Sequence, residues 1–397
     1  MSHDIQLDHI CRIEGHAGIR IAIRKGRYFE TSFAVTEGPR FYEVLVRGRS
    51  YKDVPQILSR VCSICSGAHS IASLLAIENA FGIRVSRQTQ LLRELLLLGG
   101  NIESHALHLF FLALPDFFNL PNAFALGNNH PEVLKEGLTV KKIGNEIQEV
   151  IGGRAIHPVN LIPGGFGRTP SLDQLIQLKE SLKKGIDMAR SLIDFLSSIE
   201  VPDFCSSPTV FASLYCDNGY SLFGERIMTS TGERFPISEY KRLTNEGVKS
   251  YSTAKHSHFQ GKPYAVGALA RLVINGKGLS ATAKAFLNSM KLHLPTDNIL
   301  HNNTAQAIEL AYSFERAIEL IDAITKEGLK EEAPVSVNPL ARTGVGALEA
   351  PRGTLYHCYT FDDKGMILSA DVITPTAQNC ANVEKDLKAA VERYHSE

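Results

Sequence analysis

The sequence predicts a mainly helical fold of the α+β kind, a long central helical bundle with a small β-hairpin near each end of the chain. Three observations predict it. Residues 17–36 alternate apolar and polar, residues 355–373 do so again, and apolar residues between them recur at helical spacing.

The first hairpin is read from Ala17–Arg24 and Tyr28–Val35, with Lys25, Gly26 and Arg27 as its turn. The second is read from Leu355–Thr360 and Met366–Ile373 around Asp362, Asp363, Lys364 and Gly365. Residues 86–114 carry leucines on nearly every face near Leu95–Leu98, which places that helix inside a bundle. Segments 54–81, 132–151, 172–199, 280–292 and 302–327 share the period. A last amphipathic helix is read from Asn379 to Tyr394, capped by Asn379 or Asn382. Gly/Pro clusters at 152–170 and 333–353 read as ordered loops, because motif-like residues sit in them. No repeat or low-complexity tract interrupts the pattern. The expectation is one domain over 1–397, with a hairpin at 17–36, a helical core over 54–330 and a hairpin plus helix over 350–395.

Composition excludes several classes. Hydrophobic residues make up 44% of the 397 and charged residues 21%, which excludes a disordered chain. The 42 Lys+Arg balance the 42 Asp+Glu, so no overall field draws nucleic acid or an anionic membrane. The N-terminus lacks the basic-then-apolar pattern of a signal peptide. The most apolar stretch, Leu91–Leu98, is interrupted by Arg93 and Glu94 and falls short of the about 20 apolar residues that span a bilayer. Seven cysteines are too sparse for a disulfide framework and are expected as thiols in a reducing cytoplasm.

Cys62 and Cys65 form the one clustered pair, in Arg60-Val61-Cys62-Ser63-Ile64-Cys65-Ser66-Gly67-Ala68-His69. Two cysteines three apart at a helix start can aim both sulfurs at one metal, and Arg60, His69 and the helix N-terminus favour the thiolate. A redox pair, half of a zinc site or two small buried residues fit the same spacing.

The surrounding motifs resemble those of the [NiFe]-hydrogenase large subunits. They run in order through Arg12-Ile13-Glu14-Gly15-His16, Glu37-Gly38-Pro39-Arg40-Phe41-Tyr42-Glu43, the cysteine pair with His69, and Glu103-Ser104-His105-Ala106-Leu107-His108. Gly153-Arg154-Ala155-Ile156-His157-Pro158, Pro163-Gly164-Gly165-Phe166-Gly167, Glu349-Ala350-Pro351-Arg352-Gly353 and Thr374–Asn379 continue the series. Ala254-Lys255-His256-Ser257-His258 is similar to the cytosolic, sulfhydrogenase-type branch.

The resemblance implies a large-subunit fold and a set of roles. Cys62 and Cys65 match half of the four thiolates that hold nickel and iron, and Glu14 matches a proton-transfer glutamate. Arg352 and Pro351 match residues lining the iron's diatomic ligands, His69 a histidine beside the bridging sulfur, and Glu43 a ligand of a structural magnesium. Arg12, His16, Arg154, His157, Gly164 and Gly165 fall on the surface facing an iron–sulfur small subunit. Further flavin and NAD(P) modules are implied as partners, since the chain has no G-x-G-x-x-G and no cysteine set for a cluster of its own.

The resemblance breaks at the family's second pair, an Asp-Pro-Cys-x-x-Cys, which does not occur here. Two thiolates do not supply the sulfur-rich coordination that nickel and iron share. Cys358 and Cys380, 22 residues apart, lack local clamp geometry, and Cys11 reads as a small buried residue. The chain closes on a polar stretch, Val391–Glu397, after what reads as a complete helix. The expectation is a degenerate large subunit with no metal cofactor of its own, serving as scaffold for the small subunit. Its cysteine pair is then two neutral thiols in a pocket closed by refilling side chains, with Glu14 paired to Arg12. An active hydrogenase large subunit with a truncated C-terminus, carrying NiFe and magnesium, and a protein holding zinc at Cys62, Cys65 and a histidine, are the alternatives.

Overall fold

A computed structural model describes residues 3–24, 28–217, 219–290 and 292–396. At its centre the helix Arg87–Ala106 packs against Pro131–Gly152 on one side and Asn302–Glu327 on the other. Leu172–Ser197 closes the bundle against the latter two. Leu91, Leu92 and Leu95–Leu98 are all buried, as the all-round apolar pattern requires, and each contributes about 1.5–3 kcal/mol by leaving water. Ser86 caps the central helix by accepting from the Thr89 amide, and Ser171 with Gln174 forms a capping box on Leu172–Ser197. Gly144 lets two helices touch backbone to backbone. A Cβ there would lie 2.6 Å from the Glu103 nitrogen and 2.7 Å from the Gly99 oxygen.

The run Arg87–Phe117 is long and apolar enough to cross a membrane, against the sequence expectation, but most of it is buried in the bundle, where a core helix shows the same composition. Near its end, Leu107–Ala113 widens into a π-helix before Leu114–Phe117 resumes the α-helix. Such segments redirect side chains and recur at functional sites.

Both hairpins form, each extended by a third strand. His3–Leu7 pairs antiparallel with Ala17–Arg24, which pairs with Tyr28–Val35, while the turn at 25–27 lies outside the described residues. Near the other end Thr343–Ala350, Gly353–Phe361 and Ile367–Ile373 make an antiparallel meander. Within the expected loop 333–353, Thr343–Ala350 is therefore strand. Its glycines hid this, because Gly344 and Gly346 have no side chain to show the alternation. They are glycines because the strand lies on the Ser66–Phe81 helix, where a Cβ would meet the Ala76 and Ala72 oxygens at 2.1 and 2.3 Å.

The middle of the chain holds more strand than its helical pattern suggests. Tyr264–Ala265, Val210–Tyr215, Arg226–Thr229 and Arg234–Pro236 form a four-stranded sheet in that order, whose first pair is parallel. Gly247–Lys249 pairs with Ser252–His256. These strands are short, so periodicity over a longer window misses them. The last helix starts at Pro375 rather than Asn379. Asn379 and Asn382 are not its caps. Asn379 bonds both backbone groups of Val266, and Asn382 donates to Asp386.

Candidate functional site

The Ser66–Phe81 helix begins at the cysteine pair, with Cys65 as its N-cap residue. It runs under the C-terminal meander, so the first and last thirds of the sequence meet here. The Cys62 and Cys65 sulfurs are bonded to each other across a Cα separation of 5.4 Å, not present as free thiols. Both lie on one turn, and the Cys65 amide points at Cys62 Sγ at 3.0 Å.

Two charged residues converge on that sulfur. Glu14 Oε2 lies 3.4 Å from Cys62 Sγ, and Arg352 Nη1 lies 3.9 Å from it. Glu14 pairs with Arg352, not with Arg12, and also accepts from the Ser63 amide at 3.2 Å and the Ser63 hydroxyl at 2.8 Å. Partial burial opposes the carboxylate, but the Arg352 guanidinium and the Ser63 donors outweigh it and hold Glu14 below the usual range. Arg12, at a positive φ of 64°, turns away to Asp116 and the Leu120 and Pro121 carbonyls. Pro351 precedes Arg352 in the tight turn between two strands of the meander.

His69 stands one turn into the helix, with its ring Nδ1 3.0 Å from His357 Nε2. Burial, together with the Arg352 charge, pushes His69 down to about 4, so its ring is neutral near pH 7. Sequence reasoning missed His357. It lies five residues past Arg352, on the strand that follows the turn, and its signal was a polar residue inside an apolar strand.

The pair opens onto a cavity of about 1220 Å³ rather than a closed pocket. Glu14, His69, His108 of the π-helix, Arg352 and Cys205 line it, and its far wall is the Pro375–Ser396 helix. Glu43 borders it in an ion-pair cluster. The Lys255 ammonium lies 2.7 Å from Glu246, 3.6 Å from Glu43 and 3.8 Å from Asp371, and Glu43 also accepts from the Val372 amide at 3.1 Å.

The expected docking residues divide. His16 reaches Glu37 at 2.9 Å, and Arg154 is exposed. His157 Nδ1 lies 3.1 Å from the Ser59 carbonyl, and its amide donates to Ser66 Oγ, which seats this loop beside the cysteine turn. Gly164 and Gly165 are buried within the chain instead of on the surface. At a φ of 85°, Gly164 sits so close to Val335 that a Cβ would be 2.4 Å from its oxygen. Cys11 is exposed rather than buried.

Residues 40–135 and 225–394 match the nickel-dependent hydrogenase family. The alpha subunit of sulfhydrogenase 2 from Pyrococcus furiosus is 41% identical over 98% of this chain and 92% of its own length. The chain belongs to the nickel-dependent hydrogenase family. Another similar member, a vhu subunit of the F420-non-reducing hydrogenase of Methanocaldococcus jannaschii, is 31% identical over 98% of each chain. The fold matches a solved NAD+-reducing [NiFe]-hydrogenase with a TM-score of 0.87 and 24% identity, over 99% of this chain and 98% of that one.

The family implies a nickel–iron centre, and the donor set can be tested against it. Cys62 and Cys65 supply two sulfurs, half of a four-thiolate set. Cys358 faces Tyr240 and Asp371, and Cys380 is buried in the last helix. Among the described residues no group of three or more His, Cys, Asp or Glu side chains is placed to hold a metal ion. The described residues do not fit a complete four-thiolate centre. Glu43 likewise already shares Lys255 with two other carboxylates, so a hard cation would have to displace an ammonium there.

Proposed function

We propose that this chain is a large-subunit-like component of a multi-subunit, cytoplasmic hydrogenase-type oxidoreductase. Its own residues provide scaffold and docking surface rather than a complete NiFe centre. The observation that carries the reading is that the site is satisfied from within. Cys62 is joined to Cys65, Arg352 is neutralised by Glu14, and Lys255 is held by carboxylates. Pairing within the chain leaves these groups no uncompensated charge for a cluster to offset.

The similar proteins are subunits of sulfhydrogenases and of F420-non-reducing hydrogenases, and the fold neighbour is NAD+-reducing. On that pattern an iron–sulfur small subunit docks beside the cysteine turn, and flavin or NAD(P) modules handle nucleotides. Exposed apolar side chains support such a surface at Ile13, Phe41, Val44, Ile156 and Val159, on segments flanking the pair. Co-purification with the candidate small subunit tests the reading. Cys62→Ser and Cys65→Ser variants should assemble as the parent does. A chain that stays monomeric beside its small subunit contradicts it.

The cavity favours a second reading. At about 1220 Å³ it is large enough to admit further polypeptide beside Cys62 and Arg352. A segment bringing two more thiolates would complete the donor set of an active hydrogenase.

A further inference from the structure

The least exposed charged cluster in the fold lies behind Arg352, not in the cavity. Arg271, on the helix Ala268–Asn275, is completely buried, as are Glu309, Glu349 and His105 around it. A guanidinium carries five N–H donors, and each of the five has a partner. Nε and Nη2 form a fork with Glu309 at 2.6 and 2.7 Å. Nη1 donates to Glu349 at 3.0 Å and to the Ala350 carbonyl at 2.9 Å, and Nη2 also donates to the Pro351 carbonyl at 3.1 Å.

The last two contacts are the informative ones. Ala350 and Pro351 are the two residues before Arg352, so one planar group holds both peptide oxygens that set the direction of its backbone. The surroundings fix that planar group in turn. Glu309 accepts from Tyr220 and pairs with His105 Nε2 at 2.7 Å. Glu349 accepts from the Leu214 amide at 2.7 Å and from the Thr354 hydroxyl at 2.6 Å. Buried ion pairs are often no more stabilising than apolar packing of the same volume. What this one adds is direction, since a rigid fork with every donor used admits one orientation of the turn.

We propose that Arg271 is a positioning residue for Arg352, clamping the turn so that the Arg352 guanidinium is delivered to Glu14 and Cys62. Lysine at 271 would keep the charge but offers one ammonium, which cannot hold Glu309, Glu349 and two carbonyls at once. The inference rests on reading Arg352 as a site residue and is independent of whether a metal centre is ever completed.

The test uses the reduced full-length chain in a Cys65→Ser background and reads the rate at which iodoacetamide alkylates Cys62. A guanidinium beside a sulfur speeds alkylation by favouring the thiolate. Arg352→Gln should slow the reaction by about tenfold. Arg271→Lys should slow it several-fold with the helical circular dichroism unchanged, and adding it to Arg352→Gln should slow it no further. The double variant Arg271→Gln/Glu309→Gln removes one charge of each sign, leaves Glu349 its Leu214 amide and Thr354 hydroxyl donors, and should act like Arg271→Lys. A folded Arg271 variant that alkylates at the parental rate overturns the proposal, as do effects of the two arginines that multiply. If Arg352→Gln alone has no effect, the reading of Arg352 fails, and the proposal with it.

Discussion

His69 and His357 are bonded ring to ring, Nδ1 to Nε2 at 3.0 Å, across 288 residues of sequence. The bond ties the helix that starts at the cysteine pair to the strand that leaves Arg352. Its direction follows from the next links. Tyr359 donates to Ser73 Oγ at 3.2 Å, so its oxygen accepts from His357 Nδ1 at 2.5 Å. His357 Nε2 is then bare and accepts from His69 Nδ1. Two neutral imidazoles are thereby held in fixed tautomers.

Replacing His357 with Phe puts a larger, apolar ring in its place and leaves the buried His69 N–H without an acceptor. The expected cost is about 1–3 kcal/mol. Urea or thermal unfolding of the purified chain reads it, and a variant as stable as the parent removes His357 from this account.

Burial depresses His357 well below 6.5 and also lowers His105, where the bond to Glu309 offsets part of the effect. The unfolded chain takes up protons near 6.5 that these folded rings refuse. Their contribution to stability is full above that pH and is lost as pH falls through it toward the folded values. The slope is up to about 1.4 kcal/mol per pH unit for each ring. Melting temperature should therefore drop between pH 7.5 and 5.5, and His357→Phe should flatten the drop. A parallel pair of curves would contradict the assignment.

Arg93 and Glu78 form a buried fork with both bonds at 2.7 Å, and Glu78 also accepts from the Gly164 amide at 2.9 Å. The pair thus pins the loop that follows His157. Arg93→Met strands a buried carboxylate and should cost about 3–5 kcal/mol. Proteolysis should then cut near 160–168 first. Stability within experimental error of the parent would show that the pair does not hold the loop.

Phe41 and Val44 are 64% and 59% exposed on the short helix that carries Glu43. Phe41→Asp and Val44→Asp should leave the melting temperature of the isolated chain unchanged, since neither side chain packs inside it. Co-purification of the small subunit should fall sharply, because a charge in the centre of an interface is desolvated without a partner. Undiminished co-purification places the docking surface elsewhere.

The helices were legible because long apolar periodicity survives in Leu91–Leu98 and in the segments that pack on it. Strands of two to six residues were not, and neither was Thr343–Ala350, whose glycines serve a close approach to a helix. Within the site, motif resemblance located Cys62, Glu14, Arg352 and His69. It did not find His357 or Arg271, whose partners come from distant segments and leave no local spacing, and it gave Lys255 no role. Proximity in sequence pairs Glu14 with Arg12, two residues away. In the fold, a left-handed backbone at Arg12 sends that side chain to Asp116 and leaves Glu14 to Arg352.

The central claim is that the described residues form a large-subunit scaffold without a complete NiFe centre. Elemental analysis for nickel and iron, joined to an infrared scan for CO and cyanide stretches on the purified complex, tests it most directly. The account predicts nickel far below one atom per chain and no such stretches, with iron explained by the small subunit. Stoichiometric nickel together with CO and cyanide bands would contradict it and establish that the cavity beside Cys62 is completed by further thiolates.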